Sequence, residues 1–246
     1  MKAMNIERLR ENLPGYSAIN YVDSTGSTNT DLLNSDAGHK SVLIAGEQTA
    51  GKGRLGRAWS SPKGAQFICS IALIVGERDV ERLGTLSLAV GVALTDAIPT
   101  AELKWPNDVL IDGRKLVGIL AEGTSLIDGQ FRVVVGFGIN VGLTREQLPV
   151  EHATSLLLEG LDTDLTELGE RVLTGVEKRL SQWQDRDLQL MADYRRVSAT
   201  IGKRVRLETP QGDVFGLVDD VADDGRVIVD GQAYSAGDVT HLRPES

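Results

Sequence analysis

Cysteine and histidine are scarce in this sequence, which has one cysteine and three histidines among its 246 residues. A single thiol cannot form an intramolecular disulfide. Cys69 lies in the apolar run over residues 66–74, so we predict that it is a small buried hydrophobic side chain. The histidines, His39, His152 and His241, stand in polar, turn-like contexts without metal-ligand spacing. These scarcities argue against a thiol enzyme and against a protein built on a metal cluster.

Positive charge and long apolar runs are also in short supply. Acidic residues outnumber basic ones by 35 to 26, and the sequence pI is near 4.9, which argues against a broad nucleic-acid-binding surface. Residues 1–8 contain no apolar signal-peptide core, and no window approaches the roughly 18 apolar residues of a membrane-spanning helix. We therefore expect a cytoplasmic protein without a DNA or membrane partner, in which any basic site is local.

A local basic site is present at residues 46–57, where four glycines and three cations follow an apolar segment. Glycine allows the backbone to approach a ligand closely, so that successive N–H groups converge on anionic oxygens, and Lys52, Arg54 and Arg57 add full charges. The spacing fits part of a P-loop, but Gly53 stands where a P-loop has Ser or Thr. We predict a loop that holds a phosphate or an activated acid; a mobile basic surface loop is the alternative.

The motif KWPND at residues 104–108 is unusual for a strand, because Pro cannot donate to a ladder and Asn and Asp have low strand propensity. Alone, it predicts a strand that ends in a turn. A hairpin turn at residues 112–113, however, returns the chain past Lys115 and Gly118. This hairpin could bring an amide, a carboxylate, an aromatic ring and a cation to one place.

The motif GFGIN at residues 136–140 has part of a dinucleotide-binding fingerprint, but Val141 stands where a glycine is required and no helical pattern follows. A strand kinked by glycine is the simpler interpretation. The two glycines could also leave space for a flat ring, with Asn140 offering one donor and one acceptor edge.

Consecutive hairpins, with turns at residues 112–113 and 128–129, predict an α+β fold with a mixed, largely antiparallel sheet and helices packed on it. From about residue 199, short alternating strands replace the helical pattern, and we expect a small β-barrel-like appendage. The predicted domains are 1–198 and 199–246. Apolar periodicity predicts helices at 6–13, 79–98, 165–184 and 188–197.

Five motifs occur in order: STN at 27–29, QTAGKGRLGRAW at 48–59, KWPND at 104–108, KLVGIL at 115–120 and GFGIN at 136–140. With these five motifs, the chain closely resembles the biotin protein ligase family. The resemblance implies a class II aminoacyl-tRNA synthetase-like catalytic fold followed by an SH3-like C-terminal β-barrel. About two dozen residues precede STN, far fewer than a DNA-binding domain requires, so we expect a ligase without repressor activity.

The resemblance also implies the reaction. Biotin and ATP would form biotinyl-5′-AMP and pyrophosphate, with Mg²⁺ present, and the biotinyl group would then pass to a lysine of a biotin carboxyl carrier domain. No nucleophile from the enzyme is required, which agrees with the lack of any Ser-His or Cys-His signature. We expect a monomer or a weak homodimer.

The resemblance assigns a role to each matching residue, and the roles overlap. The catalytic cations are Lys52, Arg54 and Lys115. The biotin-binding residues are Ser27, Thr28, Asn29, Gln48, Lys52, Gly53, Arg54, Lys115 and Gly118. The ATP-binding residues are Arg54, Arg57, Trp59, Asn107 and Asn140, and Asp108 is the candidate for helping to hold Mg²⁺. Family members commonly have Arg at the position of Lys52, and lysine lacks the planar fork that binds two oxygens at once.

Two other functions stay open. A lipoate or octanoate ligase or transferase would share the fold and also acylate a carrier lysine, but it would not be expected to carry KWPN. A biotin-binding sensor without catalysis would need the ring-binding residues alone, so the three cations Lys52, Arg54 and Lys115 together argue against it.

Overall fold

The computed structural model describes residues 4–124, 130–235 and 237–242, so the turn predicted at residues 128–129 lies outside the described residues. A seven-stranded sheet, in the order β1-β2-β5-β9-β8-β7-β6, forms the centre of the fold. Only the β1–β2 pair within it is parallel, so the predicted α+β class with a mixed, largely antiparallel sheet is confirmed. Its strands, and the β3–β4 hairpin beside it, are β1 (Ala18–Val22), β2 (Ser41–Ala45), β3 (Gln48–Lys52), β4 (Ala58–Ser61), β5 (Gln66–Gly76), β6 (Glu102–Lys104), β7 (Asp108–Ile111), β8 (Arg114–Gly123) and β9 (Gln130–Asn140).

In the part of the chain that the structure describes, five α-helices accompany the sheet: α1 (Ile6–Asn12), α2 (Thr28–Leu33), α3 (Leu86–Ala97), α4 (Leu165–Gln184) and α5 (Gln189–Arg196). The α4 helix has the predicted bounds, and Asp164 caps its N-terminus, since the Asp164 carboxylate accepts the N–H groups of Thr166 and Glu167. The helix predicted at 79–98 begins later than expected, because Glu77–Thr85 is a 3₁₀ helix. Gly84 and Thr85, both weak helix formers, stand at the junction.

The two faces of the sheet differ because side chains alternate along each strand. On β5, Phe67 and Ile71 belong to the main apolar core, into which α3 and α4 also pack. The intervening Ser70 points to the other face, where it lies opposite Gly136 of β9. The short helix α2 packs on β5 and β9. Polar and glycine residues are therefore collected on the face away from the long helices.

Cys69 is completely buried in the main core, as predicted, and burial raises the pKa of its thiol. A thiol reagent needs both access to the sulfur and the thiolate form. We expect the native protein to react with 5,5′-dithiobis(2-nitrobenzoate) no faster than it unfolds, and to react within seconds in denaturant. Labelling of native protein as fast as that of denatured protein would contradict this expectation.

A second, antiparallel sheet in the order β13-β12-β11-β10-β14 follows the helices. Its strands are β10 (Arg204–Thr209), β11 (Gly212–Val221), β12 (Val227–Val229), β13 (Gln232–Tyr234) and β14 (Asp238–His241). The β6–β7 hairpin docks against this sheet, since the backbone and indole N–H groups of Trp105 donate to Thr200 Oγ1 at 3.0 Å and to the carbonyl of Gly225 at 2.9 Å. Among the described residues, no helix is long and apolar enough to cross a membrane.

Candidate active site

A cavity of about 1690 Å³ opens on the glycine-bearing face of the large sheet and extends toward the second sheet. All of the site residues predicted from the sequence line it: Ser27, Thr28, Asn29, Gln48, Lys52, Gly53, Arg54, Arg57, Trp59, Asn107, Asp108, Lys115, Gly118 and Asn140. Residues separated by more than a hundred positions in the chain are thus brought to one place.

The N-terminus of α2 forms one polar end of the cavity. Ser27 is the N-cap, and its hydroxyl accepts the N–H of Thr30. The backbone N–H of Thr28 donates to Gln48 Oε1 at 2.8 Å, and the Thr28 hydroxyl donates to the same oxygen at 2.9 Å. Gln48, on β3, is thereby fixed with its carbonyl toward α2.

Two residues that sequence reasoning missed, the buried Ser70 and the half-buried Glu122, extend this hydrogen-bond network. Ser70 Oγ donates to Asn29 Oδ1 at 2.6 Å. The Asn29 amide group donates to Glu122 Oε2 at 2.8 Å and to the carbonyl of Leu120 at 3.2 Å. Because these two acceptors occupy both N–H groups of Asn29, this side chain holds the network together. The signal for Ser70 was a single hydroxyl residue inside an otherwise apolar strand.

The hydroxyl groups of Thr28 and Ser70, together with the acceptors Gln48 Oε1 and Asn29 Oδ1, form a hydroxyl cluster. It contains fewer hydroxyl protons than short oxygen–oxygen contacts. Gln48 Oε1 and Asn29 Oδ1 are fixed as acceptors, because the former accepts a backbone N–H and the latter's amide group donates elsewhere. Between them, the hydroxyls of Thr28 and Ser70 lie 2.6 Å apart. Three oxygen–oxygen contacts therefore share two hydroxyl protons. This cluster is suited to receive an N–H donor from a bound ligand.

Lys115 provides the cationic part of the cavity. Its Nζ lies 2.6 Å from Asp108 Oδ1 and 5.5 Å from the centre of the Trp59 ring. Lys104, which the sequence placed in a motif but not among the site residues, also lines the cavity. Burial lowers the pKa of Lys104, and the Asp108 carboxylate partly opposes that shift. The region holds more positive than negative charge and is suited to anionic ligand groups.

Gly118 on β8 and Gly138 on β9 are paired across the sheet and form a flat floor. The indole of Trp59 lies on this floor: a Cβ atom at either glycine would stand 2.7 Å from a ring atom. The sequence predicted that glycines clear space for a flat ring, and here that ring is the protein's own. The Trp59 Nε1–H is buried and has no hydrogen-bond partner among the residues described.

Residues 46–57 are not simply a loop, contrary to the expectation from their glycines. Gln48–Lys52 pairs with Ala58–Ser61 as an antiparallel hairpin, and a 3₁₀ turn, Arg54–Gly56, forms its tip. A hairpin is possible because Gly51 lies against the β4 backbone, where a Cβ atom would stand 2.7 Å from the Trp59 carbonyl oxygen. The hairpin carries Trp59 onto the glycine floor and the arginines to the cavity mouth.

Asn107 and Asn140 line the cavity, but protein partners already engage their side chains. The Asn107 amide group donates to the carbonyl of Ile119 at 2.7 Å. Asn140 accepts from Gln66 Nε2 at 2.8 Å and donates to the carbonyl of Thr154 at 2.9 Å, and it is 2% exposed. Both side chains therefore shape the site by tying strands together.

Asp108 does not form a metal cage in the part of the chain that the structure describes, where no group of three or more potential metal-ligating side chains occurs. Its Oδ1 faces the Lys115 ammonium group at 2.6 Å. Mg²⁺ bound by proteins usually takes one or two carboxylates together with substrate phosphates. The donor set by itself does not hold Mg²⁺, and the assignment of Asp108 stays a prediction.

Two family models match the chain. The Biotin/lipoate A/B protein ligase family matches residues 19–140, and the biotin protein ligase C terminal domain matches residues 200–242. The fold and the site thus define a protein of the biotin and lipoate ligase class.

Individual relatives narrow that class. The biotin--[acetyl-CoA-carboxylase] ligase of Mycobacterium tuberculosis is 45% identical, covering 93% of this chain and 91% of that protein. The bifunctional ligase/repressor BirA of Bacillus subtilis is 30% identical over 85% of this chain and 67% of its own length. The structure of biotin protein ligase from Aquifex aeolicus in complex with biotin and ATP matches with a TM-score of 0.78 at 25% identity, covering 93% of this chain and 100% of that one. The chain belongs to the biotin protein ligase family.

Proposed function

We propose that this chain activates biotin with ATP to form biotinyl-5′-AMP and pyrophosphate, and then transfers the biotinyl group to a lysine of a biotin carboxyl carrier domain. The observation that carries this proposal is a single cavity with a hydroxyl and amide cluster at α2 and a cationic cluster around Lys115. The names of the relatives support it, since they are biotin ligases.

Activation joins two anions, so the site must reduce their repulsion. A carboxylate oxygen of biotin attacks the α-phosphorus of ATP, a new P–O bond forms, and the bond to pyrophosphate breaks. Negative charge accumulates on the phosphoryl oxygens in the transition state. We assign its stabilisation to Lys115, Lys52 and Arg54, which line the cavity. The nucleotide would lie against Trp59 and Arg57, in the pocket shaped by Asn107 and Asn140.

The hydroxyl cluster would hold the ring of biotin. The ureido group of that ring carries N–H donors. They would donate to the hydroxyl oxygens of Thr28 and Ser70, which lie close together with too few protons for all of their contacts. Ser27, Asn29 and Gln48 hold this cluster in place.

In the second step a neutral lysine amine of the carrier attacks the carbonyl carbon of the mixed anhydride. An amide bond forms, the bond to AMP breaks, and the amine loses a proton. The enzyme contributes position and charge but no nucleophile, which agrees with the burial of its single thiol. That the enzyme is a monomer or a weak homodimer stays a prediction.

Mg²⁺ would enter with the phosphates of ATP and would supply charge neutralisation there. Asp108 is the candidate ligand, and its Oδ1 already faces the Lys115 ammonium group at 2.6 Å.

We also propose the domain boundary between residues 198 and 199. The first strand of the second sheet begins at Arg204, and the match to the C-terminal family model begins at residue 200. Both features support a small β domain that follows the catalytic one.

An exchange assay tests the proposed activity. The purified chain is incubated with ATP, labelled pyrophosphate and one acid at a time, and a purified carrier domain is added in a second stage. We expect biotin-dependent exchange and then a biotinylated lysine. Exchange with lipoate or octanoate but not with biotin would favour the lipoate-type ligase. Biotin binding without biotinyl-5′-AMP in the mass spectrum would favour a sensor.

Arg54→Gly is expected to leave the fold and part of the adenylation activity intact while biotinyl-5′-AMP escapes about tenfold faster, since a charge-assisted hydrogen bond contributes about 1.5–3 kcal/mol. Release of labelled biotinyl-5′-AMP from the preformed complex measures the effect. Arg54→Lys keeps the charge but loses the planar guanidinium fork, so its rate of biotinyl-5′-AMP release should lie between those of the native chain and Arg54→Gly. Unchanged retention in Arg54→Gly would contradict the assignment of Arg54 to the adenylate phosphate.

A further inference from the structure

The tip of the β3–β4 hairpin is tied to the second sheet by one carboxylate. Arg57 Nη2 lies 2.5 Å from Asp238 Oδ2, whereas Arg54 Nε lies 3.6 Å from Asp238 Oδ1. Arg54 Nη2 also donates to the carbonyl of Gly237 at 3.1 Å. The same two arginines are the ones assigned to the nucleotide and its phosphate, yet sequence reasoning gave no role to the residue that holds them.

The carboxylate lies on a paired strand. Asp238 opens β14, where it is paired with Glu208 of β10, and its side chain is only 17% exposed. The preceding Gly237 has φ 154°, and a Cβ atom there would stand 2.7 Å from Leu207 Cδ1 and 2.8 Å from the Glu208 carbonyl oxygen. A side chain therefore does not fit at residue 237, and the backbone passes close to β10 directly before Asp238.

The two arginines are held unequally. Two guanidinium groups face one carboxylate, so the cluster keeps a net positive charge that can meet a further anion. Arg57 makes the short contact, while Arg54 makes a longer ionic contact and a hydrogen bond to a neutral carbonyl, which is weaker than one to a charged group. An arriving phosphate would therefore draw Arg54 away more easily than Arg57.

We propose that Asp238 is a positioning residue of the ligase reaction: it anchors the hairpin tip to the C-terminal β domain through Arg57 and leaves Arg54 free to turn to the phosphate of the acyl-adenylate. The reaction part of this inference rests on the proposed function. The anchor itself does not, since it is present without any ligand. The C-terminal domain would thus help to retain the intermediate through the hairpin tip.

Limited proteolysis tests the anchor without using activity. Trypsin cleaves after Lys52, Arg54 and Arg57, and mass spectrometry locates the cuts. We expect Asp238→Asn to be cut in this segment about fivefold faster than the native chain, and added salt to speed the cutting of the native chain. Asp238→Glu should remain close to native.

The matched control is Asp224→Asn, because Asp224 lies in the same domain and pairs with Arg226 only two residues away. It should leave the cleavage rate unchanged. Thermal melting of each variant separates loss of the anchor from loss of the domain. Native cleavage rates in a correctly folded Asp238→Asn protein would overturn the proposal.

Retention of biotinyl-5′-AMP tests the link to catalysis. Asp238→Asn should release the intermediate about fivefold faster, Arg57→Gln should release it at least as fast because Arg57 is also assigned to the nucleotide, and the double variant should release it no faster than Arg57→Gln. Biotin affinity without ATP should change less than twofold. Additive effects, or unchanged release, would overturn the positioning role. If Asp238→Asn is cut faster but the native chain makes no biotinyl-5′-AMP, the anchor is supported and the proposed function is refuted.

Discussion

Lys115→Gln is expected to lower the rate of biotinyl-5′-AMP formation by about 10²–10³-fold, as removal of one preorganised donor to an oxyanion does in other enzymes. The Lys115 ammonium group is fixed by Asp108 at 2.6 Å and by the face of Trp59, so its charge is already in place before substrate arrives. Glutamine keeps much of the length but loses the charge. Single-turnover formation of biotinyl-5′-AMP at saturating substrates measures the chemical step.

The pattern of kinetic constants separates a transition-state role from simple binding. A group that acts on charge formed during the reaction lowers kcat, whereas a group that binds the ground state equally well raises KM. We expect Lys115→Gln to lower kcat rather than to raise KM. The control is Lys63→Gln, an exposed lysine in the turn before β5, which should be indistinguishable from the native chain. A native kcat with a raised KM in Lys115→Gln would contradict the catalytic role assigned to Lys115.

The composition of the site was predictable because its residues come in short motifs whose chemistry is visible in the sequence. Three of those motifs lie on β7, β8 and β9, and strand register then fixes Asp108, Gly118 and Gly138 in one row across the sheet. Alternation along β5 and β9 also follows from the sequence. The five motifs, through their resemblance to the biotin protein ligase family, were enough to predict residues that line the cavity.

The contacts that support the site were not predictable in this way. Ser70 is 41 positions from Asn29, and Asp238 is more than 180 positions from Arg54, so local patterns carry no information about either pair. The hairpin at residues 48–61 was missed because its glycines and charges are typical of loops, whereas backbone pairing and the packing of Trp59 decide its conformation.

Gly136→Ala is expected to weaken biotin binding by about 100-fold. A Cβ atom at this position would stand 2.1 Å from Asn29 Oδ1 and 2.9 Å from Ser70 Oγ. Asn29 cannot yield without cost, because its amide group is held by Glu122 and the carbonyl of Leu120. A buried polar group that loses its partner costs about 1–3 kcal/mol, and two such groups are affected. Isothermal titration of biotin into ATP-free protein measures the change.

The control is Gly123→Ala on the neighbouring strand β8. A Cβ atom at Gly123 would meet its nearest atom, the carbonyl oxygen of Arg132, at 3.5 Å, which is ordinary contact, so biotin affinity should stay native.

Thermal melting shows whether Gly136→Ala is folded, and Ser70→Ala gives a second approach, since it removes the hydroxyl without adding volume. Ser70→Ala leaves Asn29 Oδ1 unpaired and should also weaken biotin binding. Native affinity in both variants would mean that the Thr28–Ser70–Asn29 cluster does not bind the ring of biotin.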